Sequence, residues 1–243
     1  MIELCDVIRR YGSKTAVDGL NLTVPAGELF AYLGPNGAGK TTSIKMLVGL
    51  LRPTAGQVRL AGIDVVKNPR EASRVVGYVP DEPYLYEKLS GREFLQFVAA
   101  MYGIQGAAAA ESIEEQVARF ELRSFIDHLC ETYSHGMKQR LVFASALVHR
   151  PRVLIVDEPM VGLDPRSMRL VKDLLRRQAD SGVTVFMSTH TLSVAEEIAD
   201  RIGVVDRGRL RFLGSVAQLR EQLRLDSHSL EELFLRLTEE EPA

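Results

Sequence analysis

The stretch that most restricts this chain is "ELFAYLGPNGAGKTT", residues 28–42. A compact apolar run passes into glycines and then into "TTSIKMLVGLL", where Ile44, Leu47, Val48 and Leu51 share one helical face. Strand, glycine loop and helix in that order form a phosphate site in an α/β sheet. "GPNGAGKTT" satisfies GxxxxGK(S/T) with Gly34, Gly39, Lys40 and Thr41. Glycine lets the backbone wrap closely round phosphate oxygens, and the helix start turns its N–H groups toward their charge. Lys40 is then the side chain that reaches the β- and γ-phosphates, and the Thr41 hydroxyl is a ligand for Mg²⁺. Asn36, Gly37 and Thr42 complete the candidate nucleotide-binding set.

A second apolar run, in "RVLIVDEPMVGLD", delivers Asp157 where a carboxylate can hold the Mg²⁺ shell, and Glu158 where one can accept a proton from water. Two acids after a strand would alone also suit a helix's first turn. Together with the phosphate loop they point to ATP hydrolysis, and no NKxD occurs to read guanine. "FMSTHTL" places His190 just past another strand, where it is a candidate γ-phosphate contact; a lone histidine also has an ordinary structural reading. In "TYSHGMKQRL", Ser134 reads locally as the N-cap of an amphipathic helix that closes before Pro151.

Around these motifs, short β runs ("IELCDVIRRY", "LNLTV", "RPTAGQVRLAG", "RVVGYVP") precede a helical block from Glu82 to about Arg150. Phe94, Phe97, Val98 and Met101 fall at i, i+3, i+4 and i+7, Ile113, Val117 and Phe120 continue the period, and "GIQGAAAAES" reads as the loop between them. Strand character returns at "VLIV", "VTVFMS", "RIGVVD" and "RLRFLG", alternating with helices. The expected fold is α/β: a P-loop core with a mostly parallel sheet, an N-terminal antiparallel β portion and an inserted α-helical subdomain. The core is expected over residues 1–81 and 151–222, the helical subdomain over 82–150, and a C-terminal helix with an acidic tail over 223–243. At 243 residues the chain is long enough to bury such a core.

A formal charge of −2 supplies no global basic field for nucleic acid or an anionic membrane, so neither is an expected partner. The basic residues Arg166, Arg169, Lys172, Arg176 and Arg177 recur at three and four, as a solvated helix face does. Cys5 and Cys130 have no metal-like spacing and fit a reducing compartment. "MIELCDVIRR" lacks the apolar run of a signal peptide, and no apolar run of about 18 residues could span a bilayer. If the protein serves a membrane, another chain is expected to do the spanning.

With these pieces in order, nearly the whole chain resembles the ATP-binding cassette (ABC) ATPases that energise ABC transporters. The resemblance implies ATP and Mg²⁺ as cofactors and Tyr11 as the adenine-stacking aromatic. It makes His190 the switch histidine and Asp164, in "VGLD", the D-loop acid at a dimer interface. "YSHGM" stands where the family signature is usually written LSGGQ, so Ser134, Gly136 and Met137 would contact ATP bound to the other subunit of a head-to-tail dimer. After "GYVP" the family usually has Gln; this chain has Asp81, a carboxylate that can meet Mg²⁺ through water but cannot donate an amide hydrogen bond. "PDEPYLYEKLSGREFL", "YSHGMKQRL" and "SLEELFLRLT" are similar to the stand-alone ATPases of type-2 ABC exporters. That implies a separately encoded permease, a second ATPase subunit, and a cytoplasmic location against the inner face of the membrane. The alternative is an ABC-type ATPase acting on DNA or ribosomes, whose usual coiled coils, zinc insertions or paired cassettes are not present in this sequence. A P-loop small-molecule kinase fits neither Glu158 nor the Ser134 helix.

Overall fold

A computed structural model describes residues 1–222; the expected C-terminal helix and acidic tail lie outside the described residues. The chain opens with an antiparallel hairpin, β1 (Ile2–Tyr11) and β2 (Lys14–Val24), whose inward side chains include Ile2, Leu4, Leu20 and Leu22. Next come β3 (Leu29–Leu33), α1 (Lys40–Leu47), β4 (Ala55–Leu60), β5 (Ile63–Asp64), α2 (Pro69–Val75) and β6 (Val76–Val79). The helical block holds α3 (Gly91–Met101), α4 (Gly106–Arg119), a 3-10 turn (Cys130–Thr132) and α5 (His135–Leu147). The remainder is β7 (Val153–Asp157), α6 (Pro165–Asp180), β8 (Thr184–Thr189), α7 (Leu192–Ile198), β9 (Arg201–Asp206), β10 (Arg209–Gly214) and α8 (Val216–Gln222).

Two sheets result: an antiparallel one in the order β2-β1-β4-β5, and a six-stranded one in the order β10-β9-β3-β8-β7-β6. The second is parallel except for its β9–β10 edge pair. β3 explains how the layers stack. All five of its residues are buried, as a strand covered on both faces requires. Leu29, Ala31 and Leu33 join the core shared with the helical block, while Phe30 and Tyr32 join the core shared with the antiparallel sheet and α1. Phe186 of β8 extends the second core, its ring 5.5 Å from Phe30 and 5.3 Å from Tyr32. Period-two alternation thus ties three layers to the strand that leads into the phosphate loop.

Two details of the helical block depart from the sequence reading. "GIQGAAAAES" is not a loop: α4 starts at Gly106 and only residues 102–105 connect it to α3. Alanine is the best helix former, and Ser112, Ile113, Gln116 and Val117 of the same helix bury a face. Of the expected α3 face, Phe94 is buried, but Phe97 and Met101 stand 42% and 72% exposed. A capping box formed by Ser90 and Glu93 starts α3.

The seam between this block and the sheet carries a half-buried histidine. His149, just past α5, stacks on Tyr102 at 3.7 Å and donates from Nε2 to the Val76 carbonyl at 3.0 Å. Its Nδ1 is buried without a partner. Burial pushes the imidazole down to about 4 from an ordinary 6.5, against the opposing pull of the Val76 carbonyl. Between those two values the unfolded chain binds a proton that the folded chain does not, so stability rises with pH there. The free energy of unfolding should therefore fall as pH drops from 6.5 toward 4. His149→Gln should flatten that slope in urea titrations at several pH values; an unchanged slope would refute a neutral buried imidazole.

Candidate nucleotide site

The candidate residues gather where β3, β7 and β8 end together. In the parallel register Leu33 lies beside Thr189, and Asp157 beside Ser188. The glycine loop leaves β3 here and is pressed between neighbours. Gly39 has φ +104, and a Cβ on it would stand 2.4 Å from the Ala16 carbonyl oxygen of β2, so only glycine fits. A Cβ on Gly34 would meet the Val205 carbonyl oxygen at 2.4 Å. Asn36, Gly37 and Thr41 are exposed and Thr42 is half-buried, so the outer side of the loop and the first turn of α1 face solvent.

Lys40 is folded back on its own loop. It is 7% exposed, and its Nζ donates to the carbonyls of Gly34 at 2.6 Å and Pro35 at 3.3 Å. Glu158 Oε1 lies 3.6 Å from the same nitrogen. On its other side, Glu158 Oε2 accepts from His190 Nδ1 at 2.9 Å and from the His190 backbone N–H at 3.3 Å. The carboxylate is thus flanked by a cation and an imidazole. Its backbone is left-handed, φ +46, a strained conformation for a residue with a side chain. That conformation is fixed because the Glu158 N–H donates to Ser188 Oγ at 3.1 Å and is 3.2 Å from the Ser188 carbonyl.

Ser188 also donates its hydroxyl hydrogen to Asp157 Oδ1, while Asp157 Oδ2 is buried without a partner. Burial raises the Asp157 carboxyl above its ordinary value; the Ser188 hydrogen bond and Lys40 oppose this, while Asp81 and Glu158 add repulsion. Asp81 is exposed, its Oδ1 accepting from the Glu82 N–H, and its charge acts on both Asp157 and Tyr78. A buried carboxylate oxygen without a partner, with a second carboxylate near enough to repel it, is a donor set that suits a hard cation. Among the described residues no group of three His, Cys, Asp or Glu side chains could hold a metal by itself.

Ser188 was missed by sequence reasoning, although a hydroxyl directly after the apolar run "VFM" was a usable signal. The remaining expected site residues lie elsewhere. Ser134 caps α5, its Oγ accepting from the Met137 N–H at 3.4 Å. The neighbours of this helix start are in the Asp164 loop: a Cβ on Gly162 would be 3.2 Å from His135 Nε2, and one on Gly136 4.0 Å from Ser167 Oγ. Asp164 caps α6, accepting from the N–H groups of Arg166 and Ser167 and from the Ser167 hydroxyl at 2.6 Å. The Ser167 hydroxyl is the chief reason the Asp164 carboxyl stays below its ordinary value. Tyr11, at the β1–β2 turn, is 46% exposed with the Arg9 guanidinium 4.5 Å from its ring centre. Of the basic face on α6, Lys172 pairs with Glu197 and Arg176 with Asp180 and Asp200.

Comparison with known proteins identifies the family. The ABC transporter family model matches residues 17–161. The chain is 41% identical over 222 residues to the daunorubicin/doxorubicin resistance ATP-binding protein DrrA of Streptomyces peucetius, covering 91% of this chain and 67% of that one. It is 39% identical over 211 residues to the bacitracin transport ATP-binding protein BcrA of Bacillus licheniformis, covering 86% and 68%. Against the probable multidrug ABC transporter ATP-binding protein YbhF of Escherichia coli it is 37% identical over 98% of its length but spans only 41% of that protein. A solved ATP-binding subunit of an ABC transporter superposes with a TM-score of 0.91 at 31% identity, covering 98% of this chain and 100% of that one. A dimeric ATP-binding cassette bound to ADP and Pi superposes at 0.81 with 25% identity, covering 89% and 99%. From its phosphate loop to its sheet order, the chain belongs to the ABC transporter family, as an ATP-hydrolysing cassette.

Proposed function

We propose that two copies of this chain close head to tail on two ATP–Mg²⁺ and that closing and reopening drive a membrane exporter. The observation that carries the reading is the clamp on Glu158, held 3.6 Å from Lys40 and 2.9 Å from His190 at the ends of three parallel strands. That is where a carboxylate can take the proton of a water attacking the γ-phosphate. Lys40 leaves its loop carbonyls for the β- and γ-phosphates, and the N–H groups at Gly37, Gly39 and Thr42 line the same phosphates. Asn36 and Tyr11 contact the nucleotide from the loop and from the β1–β2 turn. Thr41, Asp157 and Asp81 would hold Mg²⁺, which would supply neutralisation of phosphate charge. Ser134, Gly136 and Met137 present a helix start to the partner's γ-phosphate, and Asp164 braces the loop that runs along the dimer face.

ATP bridging the two copies favours the closed state, and that differential affinity performs the conformational work. The similar cassette solved as a dimer with ADP and Pi supports this cycle. The drug-resistance and antibiotic-transport names of the relatives support export as the work done. Among the described residues no helix is long and apolar enough to cross a membrane, and the reading calls for a separate permease as partner. Its docking surface is the exposed apolar cluster that follows Asp81: Tyr84, Tyr86, Phe97 and Met101, with Tyr86 edge-on to Phe97 at 5.4 Å. On this reading the cassette works at the cytoplasmic face of the membrane.

Glu158→Gln should lower steady-state ATP turnover by about 10²- to 10⁴-fold while sparing ATP binding; wild-type turnover would remove the base assignment. Tagged Glu158→Gln, loaded with ATP–Mg²⁺, should co-purify a polytopic membrane protein from detergent-solubilised membranes. A soluble, ribosomal or DNA-bound partner without a permease would overturn the export reading. Lys40→Ala should weaken ATP binding itself, by about tenfold or more for a lost charge-assisted contact. ATP with Mg²⁺ should raise the melting temperature well above ATP with EDTA, because a cation relieves the strain on Asp157. Equal shifts would argue against Asp157 as a metal residue.

A further inference from the structure

β8 buries the hydroxyls of Thr184, Ser188 and Thr189, and the two threonines have ordinary partners. Thr184 Oγ1 accepts from the Gly27 N–H at 3.2 Å and donates to the Pro25 carbonyl at 3.4 Å. Thr189 Oγ1 accepts from the Thr191 N–H at 3.0 Å. Ser188 differs, because its hydroxyl is bonded on both sides to the acid pair of the candidate site. It donates to Asp157 Oδ1, and its oxygen accepts from the Glu158 N–H at 3.1 Å. The residue is fully buried, where hydrogen bonds are electrostatically stronger than in water.

A hydroxyl can donate and accept at one atom, which alanine or valine in the same strand position cannot do. The donors run one way, from the Glu158 peptide through the Ser188 oxygen to the Asp157 carboxylate, and bonds in such a chain strengthen one another. At one end, Oδ1 takes the donor, so the Asp157 carboxylate is held with Oδ2 as its unpartnered oxygen. At the other, Glu158 sits at φ +46, a conformation that persists only where the surroundings over-determine it. Both acceptors of its N–H belong to Ser188: the hydroxyl, and the carbonyl at 3.2 Å. The carbonyl survives any substitution, whereas the hydroxyl survives in threonine and is lost in alanine.

We propose that Ser188 is a positioning residue for hydrolysis, its one hydroxyl setting the Asp157 carboxylate and the Glu158 backbone together. The assignment rests on the roles proposed above for Asp157 and Glu158, because Ser188 acts through these acids. ATP binding by the phosphate loop should therefore be independent of it, while turnover and the response to a divalent cation should not.

The test compares three variants of the whole chain: Ser188→Ala, Ser188→Thr, which keeps the hydroxyl, and Thr184→Val, which removes a buried hydroxyl at the other end of the same strand. Ser188→Ala should lower kcat by about ten- to a hundredfold, the range for a lost hydrogen bond to a charged group, with KM for ATP within about twofold of wild type. A second readout does not depend on turnover. ATP with EDTA should raise the melting temperature of Ser188→Ala as it does that of the wild type, but the further rise with Mg²⁺ in place of EDTA should fall to about half or less. Ser188→Thr should recover most of both. Thr184→Val should melt lower without nucleotide yet keep wild-type kcat and the full Mg²⁺ increment. Should Ser188→Ala not fold, Ser188→Cys, a weak donor and acceptor of similar size, carries the same test.

An undiminished kcat and Mg²⁺ increment in Ser188→Ala would overturn the assignment. Equal losses in Thr184→Val, or no recovery in a Ser188→Thr that melts like the wild type, would leave Ser188 a packing residue only. Glu158→Gln is assayed alongside to separate the two readings. Wild-type turnover there would bring down the roles of the acids and this assignment with them. A slow Glu158→Gln beside an unaffected Ser188→Ala would sink this assignment alone.

Discussion

The parallel register of β3, β7 and β8 is the constraint on which the nucleotide site depends. It sets Leu33 beside Thr189 and Asp157 beside Ser188, so three chain segments distant in sequence release their next residues at one edge. Nothing local to Lys40, Glu158 or His190 would bring them together. What fixes the register is burial: β3 sends alternate side chains into two different cores, and a slip of one residue would exchange them. A hydrogen-bond ladder alone would leave such a slip open.

Within that frame the site satisfies most of its own charges. The Lys40 ammonium is bonded to loop carbonyls and set near Glu158, and Ser188 occupies one oxygen of Asp157 while holding the strained peptide of Glu158. A left-handed residue with a side chain costs about 1–3 kcal/mol, which the surrounding hydrogen bonds offset. The unmet demand is confined to Asp157 Oδ2. A nucleotide arriving with a divalent cation therefore meets a loop whose lysine must exchange carbonyls for phosphates, and one carboxylate that gains a partner it lacked.

Much of this was legible in the sequence because the phosphate loop, the acid pair and the strand rhythm are each local patterns. Asp157 and Glu158 follow "VLIV" directly, and the alternation of apolar strands with helices foretold a largely parallel sheet. Ser188 was not legible in that way, since its importance comes from lying across from Asp157, a long-range pairing that no local period encodes. The four alanines after Gly106 were read as part of a loop, whereas the burial of Ile113 and Val117 against the neighbouring helices selects helix. Phe97 and Met101 kept helical spacing yet stayed exposed, because periodicity reports a face and does not report what covers it.

Ser188, Thr189 and His190 are consecutive residues, the first two ending a fully buried strand in the middle of a sheet. The hydroxyl that fixes Asp157 and Glu158 is therefore joined to the imidazole that touches Glu158 by a stretch of backbone with almost no freedom to flex. Ser188 is buried and bonded to both acids, so on the picosecond-to-nanosecond scale only rotation of the exposed His190 ring can part a member of this group. Control over Asp157 and the Glu158 backbone must come from slower displacements of whole segments, on the microsecond-to-millisecond scale. Relaxation-based measurements would see such control as exchange in the helical block and the Asp164 loop, with the β8 backbone staying quiet.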